Sequence, residues 1–465
     1  MTGLSDSVGA KYIKPTGVPG KDFPYEYTSV SDFSTSKWKI ADTIRISQDR
    51  SSMTSKTIET IRNYISDSYI VTDFGYLRTL HGENILYNNW YIMWAVCSPK
   101  RNQQPSILEW TNIPKYSTLK YFYSQDGLNW QYGGNLLPSS SSIFPQHGRC
   151  SLVMREGTQN VVDLFYSCYD YSTNTTLGYN QNVCIASSSG QIVTSNGTVS
   201  FTGFTTSEKL FDSDGIKYNS LQENDDYIMA DPYPFINPGD GGIYCLFVSN
   251  LPGVAGLFNI DDDTQGYIPP YYTISEDAVN KTSVIGIAQY NNASYASGDF
   301  SAKNWTLLNP LISGLGVTSK FERPHFFFDG AYTYLLFSNT YENFTNGHEY
   351  PTGLYGFYST NGVFGPYYTL NGSGQVLTNP STSPDQSSSY FCDDSRYIYS
   401  YIYSIQEGSE THFGGTQSPT NQLVFNKKNT FLQEVLNFGL ANANIDWLTI
   451  YNTYGGNSAQ WIRGS

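Results

Sequence analysis

The chain has 465 residues, of which 39% are hydrophobic, 16% aromatic and only 14% charged, and its net charge is −14. An average soluble domain is about a quarter charged, so Ser, Thr, Asn, Tyr and Gly must wet this surface, and a helical bundle built on Ala, Leu, Glu and Lys is disfavoured. The 40 Tyr and 26 Phe exclude a disordered chain and, with Thr, 41 Gly and 21 Pro, predict many short strands.

In chain order, the N-terminal stretch Met1–Gly17 has no apolar h-region, so any signal peptide has been removed or never existed. The first 35 or so residues read as extended or peripheral, and Ser55–Ser66 reads as helical. Five apolar runs follow: Trp90–Cys97, Val161–Cys168, Gly242–Ser249, Tyr332–Asn339 and Tyr397–Ser404. Each has strand length, is rich in β-branched or aromatic residues, and ends near a small residue. Turn residues precede several of them, as in Asn88-Asn89, Gly239-Asp240-Gly241 and Asp329-Gly330. Partner strands run into turns at Asp126-Gly127 and Asn361-Gly362. Five such units predict an all-β, five-bladed β-propeller in one domain spanning residues 1–465. A β-sandwich or irregular all-β fold is the alternative.

Several function classes drop out. Lys and Arg are scattered, so no basic stripe offers a nucleic-acid footprint. No run reaches the ~18 apolar residues of a membrane span. The acidity favours a neutral or cationic partner. Cys97, Cys150, Cys168, Cys184, Cys245 and Cys392 form no C-x-x-C pair and read as buried thiols, with a single disulfide the lesser option. His81, His147, His325, His348 and His412 form neither H-E-x-x-H nor a zinc spacing. No phosphate-binding loop or G-x-S-x-G elbow is present. Carboxylates are the remaining candidates for chemistry.

Three acids stand in apolar or aromatic settings: Asp73 before Phe74-Gly75-Tyr76, Asp231 before Pro232-Tyr233-Pro234, and Glu322 before Arg323-Pro324-His325. Taken singly, each reads more readily as a satisfied turn carboxylate. Together they come from three units and could meet only at a shared centre, such as a propeller channel. Glycoside cleavage with retention needs a carboxylate nucleophile and a protonated acid about 5–5.5 Å apart.

At these three positions the chain resembles glycoside hydrolase family 68, the levansucrase and inulosucrase group. Val71–Leu77 resembles the family's V-W-D-x-W-x-L segment, and Leu210–Gly215 with Asp231-Pro232 resembles F-D-G-D-G…R-D-P. Asn309–Ile312, Val317-Thr318 and Glu322-Arg323 resemble K-P-L-I…V-T-D-E-x-E-R. Trp38, Ala41-Asp42 and Gly365-Pro366-Tyr367 add support. The resemblance implies a secreted, five-bladed enzyme that hydrolyses or transfers the fructosyl unit of sucrose or a related fructoside to water or a sugar acceptor. Asp73 is then the nucleophile, Asp231 the transition-state stabiliser and Glu322 the acid/base.

The chain departs from the family pattern around these residues. The Trp before the nucleophile is Thr72, and the one two residues after it falls at Gly75. The Trp of W-[SA]-G-S falls at His147, the Arg of R-D-P at Ala230 and the first Glu of D-E-x-E-R at Lys320. A further pocket Arg falls near Thr340 or Tyr341. Thr72, His147, Lys320 and Tyr341 therefore stand at the sugar-facing positions. The Asp that is a calcium ligand in some members is Ser319, so the expectation is no metal and no cofactor. Changed subsites favour hydrolysis or short-oligosaccharide transfer. An inverting arabinan- or xylan-type propeller hydrolase and a non-catalytic sugar-binding propeller are the competing readings.

Overall fold

Each of the five apolar runs becomes the second strand of its own sheet in the computed structural model. The structure describes residues 30–31, 33–43, 68–99, 116–127, 129–170, 182–219, 228–253, 256–261, 265–291, 300, 304–329, 332–345, 352–378, 387–392, 397–407, 410–417, 419–438 and 445–446. From 387 onward side chains are described only at Phe425, Lys427 and Lys428. The run expected as a helix, Ser55–Ser66, and residues 1–29 lie outside the described residues.

Burial explains why these runs are mostly apolar without a period of two. Ile243–Asn250 is buried at every position and Tyr332–Asn339 at all but its first. A middle strand covered on both faces has no solvent side, so alternation disappears. The turns obey local chemistry. Asn88 and Asn89, at φ 51° and 62°, turn the chain between the bridged pair Tyr87 and Trp90, and Asn tolerates this left-handed region better than other side chains.

Four blades have described side chains. Blade I is a meander of Tyr69–Tyr76, Tyr91–Pro99, Thr118–Ser124 and Gln131–Asn135. Blade II starts with Gln146–Met154, Val161–Asp170 and Asn182–Ser195. Blade III starts with Ala230–Ile236, Ile243–Asn250 and Ser283–Tyr290. Blade IV starts with Glu322–Asp329, Tyr332–Asn339 and Gly353–Ser359. The first strands of adjacent blades pack on one another, which puts them innermost. The radial arrangement is an all-β propeller and not a two-sheet sandwich.

The expected count of five is met only in part. Four blades have described cores, whereas the fifth run falls in a sheet of Ser387–Cys392, Tyr397–Glu407, Glu410–Gln417, Pro419–Asn426 and Asn429–Phe438. Nearly all side chains of that sheet lie outside the described residues, and of those described Phe425 packs on Phe327 and Tyr334 of blade IV.

Tyr and Phe fill the gaps between blades. Trp38, 1% exposed, meets Phe321, Phe337, Phe344, Tyr355 and Phe357, and its indole N–H donates to the Ser373 carbonyl at 3.1 Å. Strand Ser36–Lys37 pairs in parallel with Ile312–Ser313, joining the N-terminal segment to blade III. Trp38→Ala is therefore expected to cost about 3–5 kcal/mol through the cavity and the orphaned carbonyl. A denaturant titration in which the midpoint barely moved would contradict this packing.

Cys97, Cys150, Cys168, Cys184 and Cys245 are buried free thiols, as read from the sequence, and Cys392 has no described side chain. Cys168 and Cys184 face each other across blade II with sulfurs 2.7 Å apart.

Candidate active site

A β-bulge interrupts the first strand of all four described blades at a charged residue. The register shifts lie between Val71 and Asp73, His147 and Cys150, Ala230 and Tyr233, and Glu322 and His325. A bulge adds a residue to one strand and re-aims its side chain. Here the re-aimed side chains are Asp73, Arg149, Asp231 and the Glu322-Arg323 pair. Asp231 and Arg323 take φ of 58° and 52°, a conformation that needs support from the surrounding structure. Each is followed by a proline, which has no N–H to lose from the ladder and so suits a bulge. The Asp231 N–H donates to Ser167 Oγ at 2.8 Å, and Ser151 Oγ donates to the Pro232 carbonyl at 2.8 Å. Buried Arg78 donates to Ser151 Oγ and to the Pro234 carbonyl, at 3.2 and 2.8 Å. Blade II thereby braces the bulge of blade III.

The three carboxylates meet on one guanidinium. Arg149 donates from Nε to Asp73 Oδ2, from Nη1 to Asp231 Oδ2 at 2.7 Å and from Nη2 to Glu322 Oε2 at 3.0 Å. Arg323 links two of the same acids, with Nη1 2.8 Å from Asp73 Oδ1 and its backbone N–H 3.1 Å from Asp231 Oδ2. Its Nη2 holds the Phe74 carbonyl at 2.7 Å, and the Phe74 N–H donates to Asp73 Oδ1 at 2.8 Å. Lys320 completes the cluster, with Nζ 3.2 Å from Glu322 Oε1. Three anions are thus matched by three cations, as buried charge requires.

The environments separate two of the acids. Burial is the largest influence on Asp73 and raises its pKa above the ordinary carboxylate value, although Arg323 and Arg149 act to lower it. Burial acts the same way on Glu322, but Arg149 and Lys320 outweigh it and bring the pKa down to about 2. Paired in this way, Glu322 is a carboxylate at neutral pH. His325 beside it is fully buried, with Nδ1 2.8 Å from the Arg323 carbonyl, and burial lowers its pKa to about 3. It contributes no charge near neutrality.

Among the residues expected to face the sugar, Lys320 joins the cluster, whereas the hydrogen bonds of His147 and Thr72 run to groups outside it. His147 is 3% exposed; its Nδ1 accepts from the Leu119 N–H at 3.2 Å, its Nε2 lies 2.8 Å from Ser142 Oγ, and its ring meets Tyr166 edge-on. The bulge reverses the facing of successive residues, so His147 packs between blades while Arg149 reaches the centre. Thr72 lies within the blade I bulge and donates from Oγ1 to the Val96 carbonyl at 3.3 Å. Tyr341 is 39% exposed on the short turn Tyr341–Asn343, away from the central cavity lining. Ser319 donates from Oγ to the Asn343 carbonyl at 3.2 Å. Among the described residues no group of three His, Cys, Asp or Glu is arranged to hold a metal.

Two gaps in the motifs are refilled by other strands. A Cβ on Gly75 would stand 2.6 Å from the Trp94 ring, so that indole occupies the space a side chain at 75 would need. Position 230 carries no cation, and Arg149 of blade II supplies one to Asp231 instead. Sequence reasoning gave no role to Arg149 or Arg323. The available signal was a single basic residue in the uncharged stretch His147–Met154. A cavity of about 40 Å³ is bordered by Arg149, Asp231 and Arg323 of the cluster together with Trp94, Arg78 and Tyr233. It is sized for a water or two.

The family pattern described as levansucrase/invertase, glycoside hydrolase family 68, matches residues 28–442. The chain belongs to this family. It is an enzyme of the β-fructosidase and fructosyltransferase kind. It is 31% identical over 415 residues to a levansucrase of Zymomonas mobilis, covering 89% of this chain and 94% of the relative. It is 30% identical over 418 residues to an extracellular sucrase of the same organism, covering 90% and 97%. Among solved structures, the levansucrase of Gluconacetobacter diazotrophicus superimposes with a TM-score of 0.75 at 21% identity, covering 92% of this chain and 96% of the other. The β-fructofuranosidase catalytic domain of Microbacterium saccharophilum K-1 gives 0.76 at 21% identity, covering 93% and 100%. At these identities the structural likeness speaks for the fold.

Proposed function

We propose that this family 68 enzyme cleaves sucrose or a related fructoside by double displacement, with Asp73, Asp231 and Glu322 as its reacting carboxylates. The observation that carries the reading is their convergence, from three blades, on a single guanidinium. Groups bridged by one small planar cation lie close together. That favours the near pair of a retaining enzyme over the wider pair that must admit a water.

Asp73 attacks the anomeric carbon of the fructosyl unit. Its Oδ1 is fixed by Arg323 and the Phe74 N–H, so the reacting oxygen is Oδ2, which Arg149 Nε holds in this structure. Protonated Glu322 gives its proton to the departing glucosyl oxygen, and Asp231 faces the charge that grows on the ring. In the second step Glu322 takes a proton from water or a sugar hydroxyl, which then opens the fructosyl-enzyme. The fifth sheet serves as the fifth blade, a reading supported by its packing between blade IV and the first strand of blade I. Extracellular action is supported by the relative named an extracellular sucrase.

Incubation with sucrose, raffinose and inulin, with NMR of the first-formed fructose, tests this reading. The expected result is release of glucose from sucrose and fructose of retained configuration. Inversion would point to the arabinan- or xylan-type chemistry, and binding without turnover to a sugar-binding propeller.

A further inference from the structure

The two oxygens that the proposed reaction needs are the two that Arg149 covers. Asp73 Oδ1 is held by Arg323 and the Phe74 N–H, whereas Oδ2 is held by Arg149 Nε. Glu322 Oε1 is held by Lys320, whereas Oε2 is held by Arg149 Nη2 at 3.0 Å. A sugar whose anomeric carbon reaches Asp73 Oδ2, with its leaving oxygen at Glu322 Oε2, must sit where the guanidinium now sits. Both cannot occupy that space.

The arrangement lets the guanidinium give way outward. The Arg149 side chain is 17% exposed, against 3% for Asp73, 5% for Asp231 and 13% for Glu322. It is more exposed than any of the three acids it bridges, and of the cluster's cations only Lys320, at 38% on the far oxygen of Glu322, stands further out. Arginine has five N–H donors in a planar fork, so two bonds can be exchanged while a third is kept. The bond to keep is the one to Asp231, the acid whose neighbour at position 230 is an uncharged Ala.

We propose that Arg149 is a substrate-contacting residue that the incoming fructosyl unit displaces from Asp73 Oδ2 and Glu322 Oε2 while it stays on Asp231, its released N–H donors then holding sugar oxygens. This rests on the reading of Asp73 as nucleophile and Glu322 as acid. The exchange has a chemical consequence. While Arg149 bridges the carboxylates, Glu322 cannot hold the proton it must give away, and the arrival of substrate removes that obstacle.

Glu322 is faced by Arg149 from blade II and Lys320 from its own segment, and Arg149 in turn carries Asp73 from blade I and Asp231 from blade III, with Arg323 on Asp73 and neutral His325 on the Arg323 carbonyl. Of these, Arg149 is the charge that leaves, so the test is a pH profile. In the wild type the alkaline limb of kcat/KM, which reports the free enzyme, should lie at lower pH than that of kcat, which reports the complex. Arg149→Gln removes a cation that lowers the pKa of both Asp73 and Glu322. Both limbs of its kcat/KM profile should therefore move to higher pH, the alkaline one towards the kcat limb. Its kcat/KM for sucrose should fall by about ten- to a hundredfold, the loss expected for a charge-assisted contact.

Arg149→Lys, which keeps one charge but cannot bridge three acids, should give an intermediate upward shift. It also carries the test if the Gln variant does not fold by circular dichroism. A variant with unmoved limbs and near-wild-type kcat/KM would overturn the proposal. The mechanism itself fails by a different result, namely persistent sucrose cleavage after replacement of Asp73 or Glu322.

Discussion

Asp73→Asn is expected to lower kcat on sucrose by on the order of 10⁴-fold or more, with the protein still folded. The amide keeps the size of the carboxylate and can still accept from the Phe74 N–H, which holds Oδ1 at 2.8 Å in the native site. What it loses is the anionic oxygen that would form the covalent fructosyl-enzyme. It also loses one anion from a cluster of three acids and three basic side chains, leaving Arg149 and Arg323 with an excess of charge. A modest change in stability is therefore compatible with the prediction, whereas retained turnover is not. The measurement is glucose release under saturating sucrose, with thermal unfolding run in parallel. A variant that still releases glucose at more than a few per cent of the native rate would remove Asp73 from the nucleophile's role.

Glu322→Gln should show a different pattern. General acid assistance contributes roughly 10²–10⁴-fold, so kcat on sucrose should drop by that order, because glucose leaves poorly without a proton. A fructosyl donor whose leaving group needs no proton should be far less affected in the first step. Comparing the two donors separates an acid from a residue that merely shapes the pocket, which would slow both alike. The pH dependence has a defined sign. Against burial, which raises it, Arg149 and Lys320 hold the folded-state pKa of Glu322 near 2, below its ordinary value. The stability this ion pairing contributes is therefore present above the ordinary Glu range and is lost as the pH falls towards 2. The proposed catalysis needs the opposite state, a protonated Glu322, so this ion pairing and the proposed acid role are set against each other.

Much of the fold was legible because its signals are local. The runs Val161–Cys168 and Tyr332–Asn339 read as strands because middle strands buried on both faces are mostly apolar without alternation, and they are the second strands of blades II and IV. Asp126-Gly127 read as a turn, and Gly127 indeed sits at φ 70°. The three acids were legible through order and spacing along the chain. His147 illustrates what was not. Its motif position suggested a sugar-facing ring, yet a bulge between His147 and Cys150 turns the ring between the blades and brings Arg149 to the centre. A one-residue irregularity of register leaves no trace in a hydrophobic pattern, because it changes facing without changing composition.

The opening composition, aromatic and poor in charge, by itself determined an all-β chain whose Tyr and Phe would fill the spaces between sheets. The motifs by themselves determined the family and singled out the three acids that the structure brings onto one guanidinium. Tertiary structure alone decided which cation answers those acids, since Arg149 lies 76 residues from Asp73 and 173 from Glu322. The physical reason is that charge pairing at the centre of a propeller depends on distance in space. Each blade delivers one bulged inner strand to the same axis, and a cation missing beside Asp231 in its own strand can be supplied from the neighbouring blade.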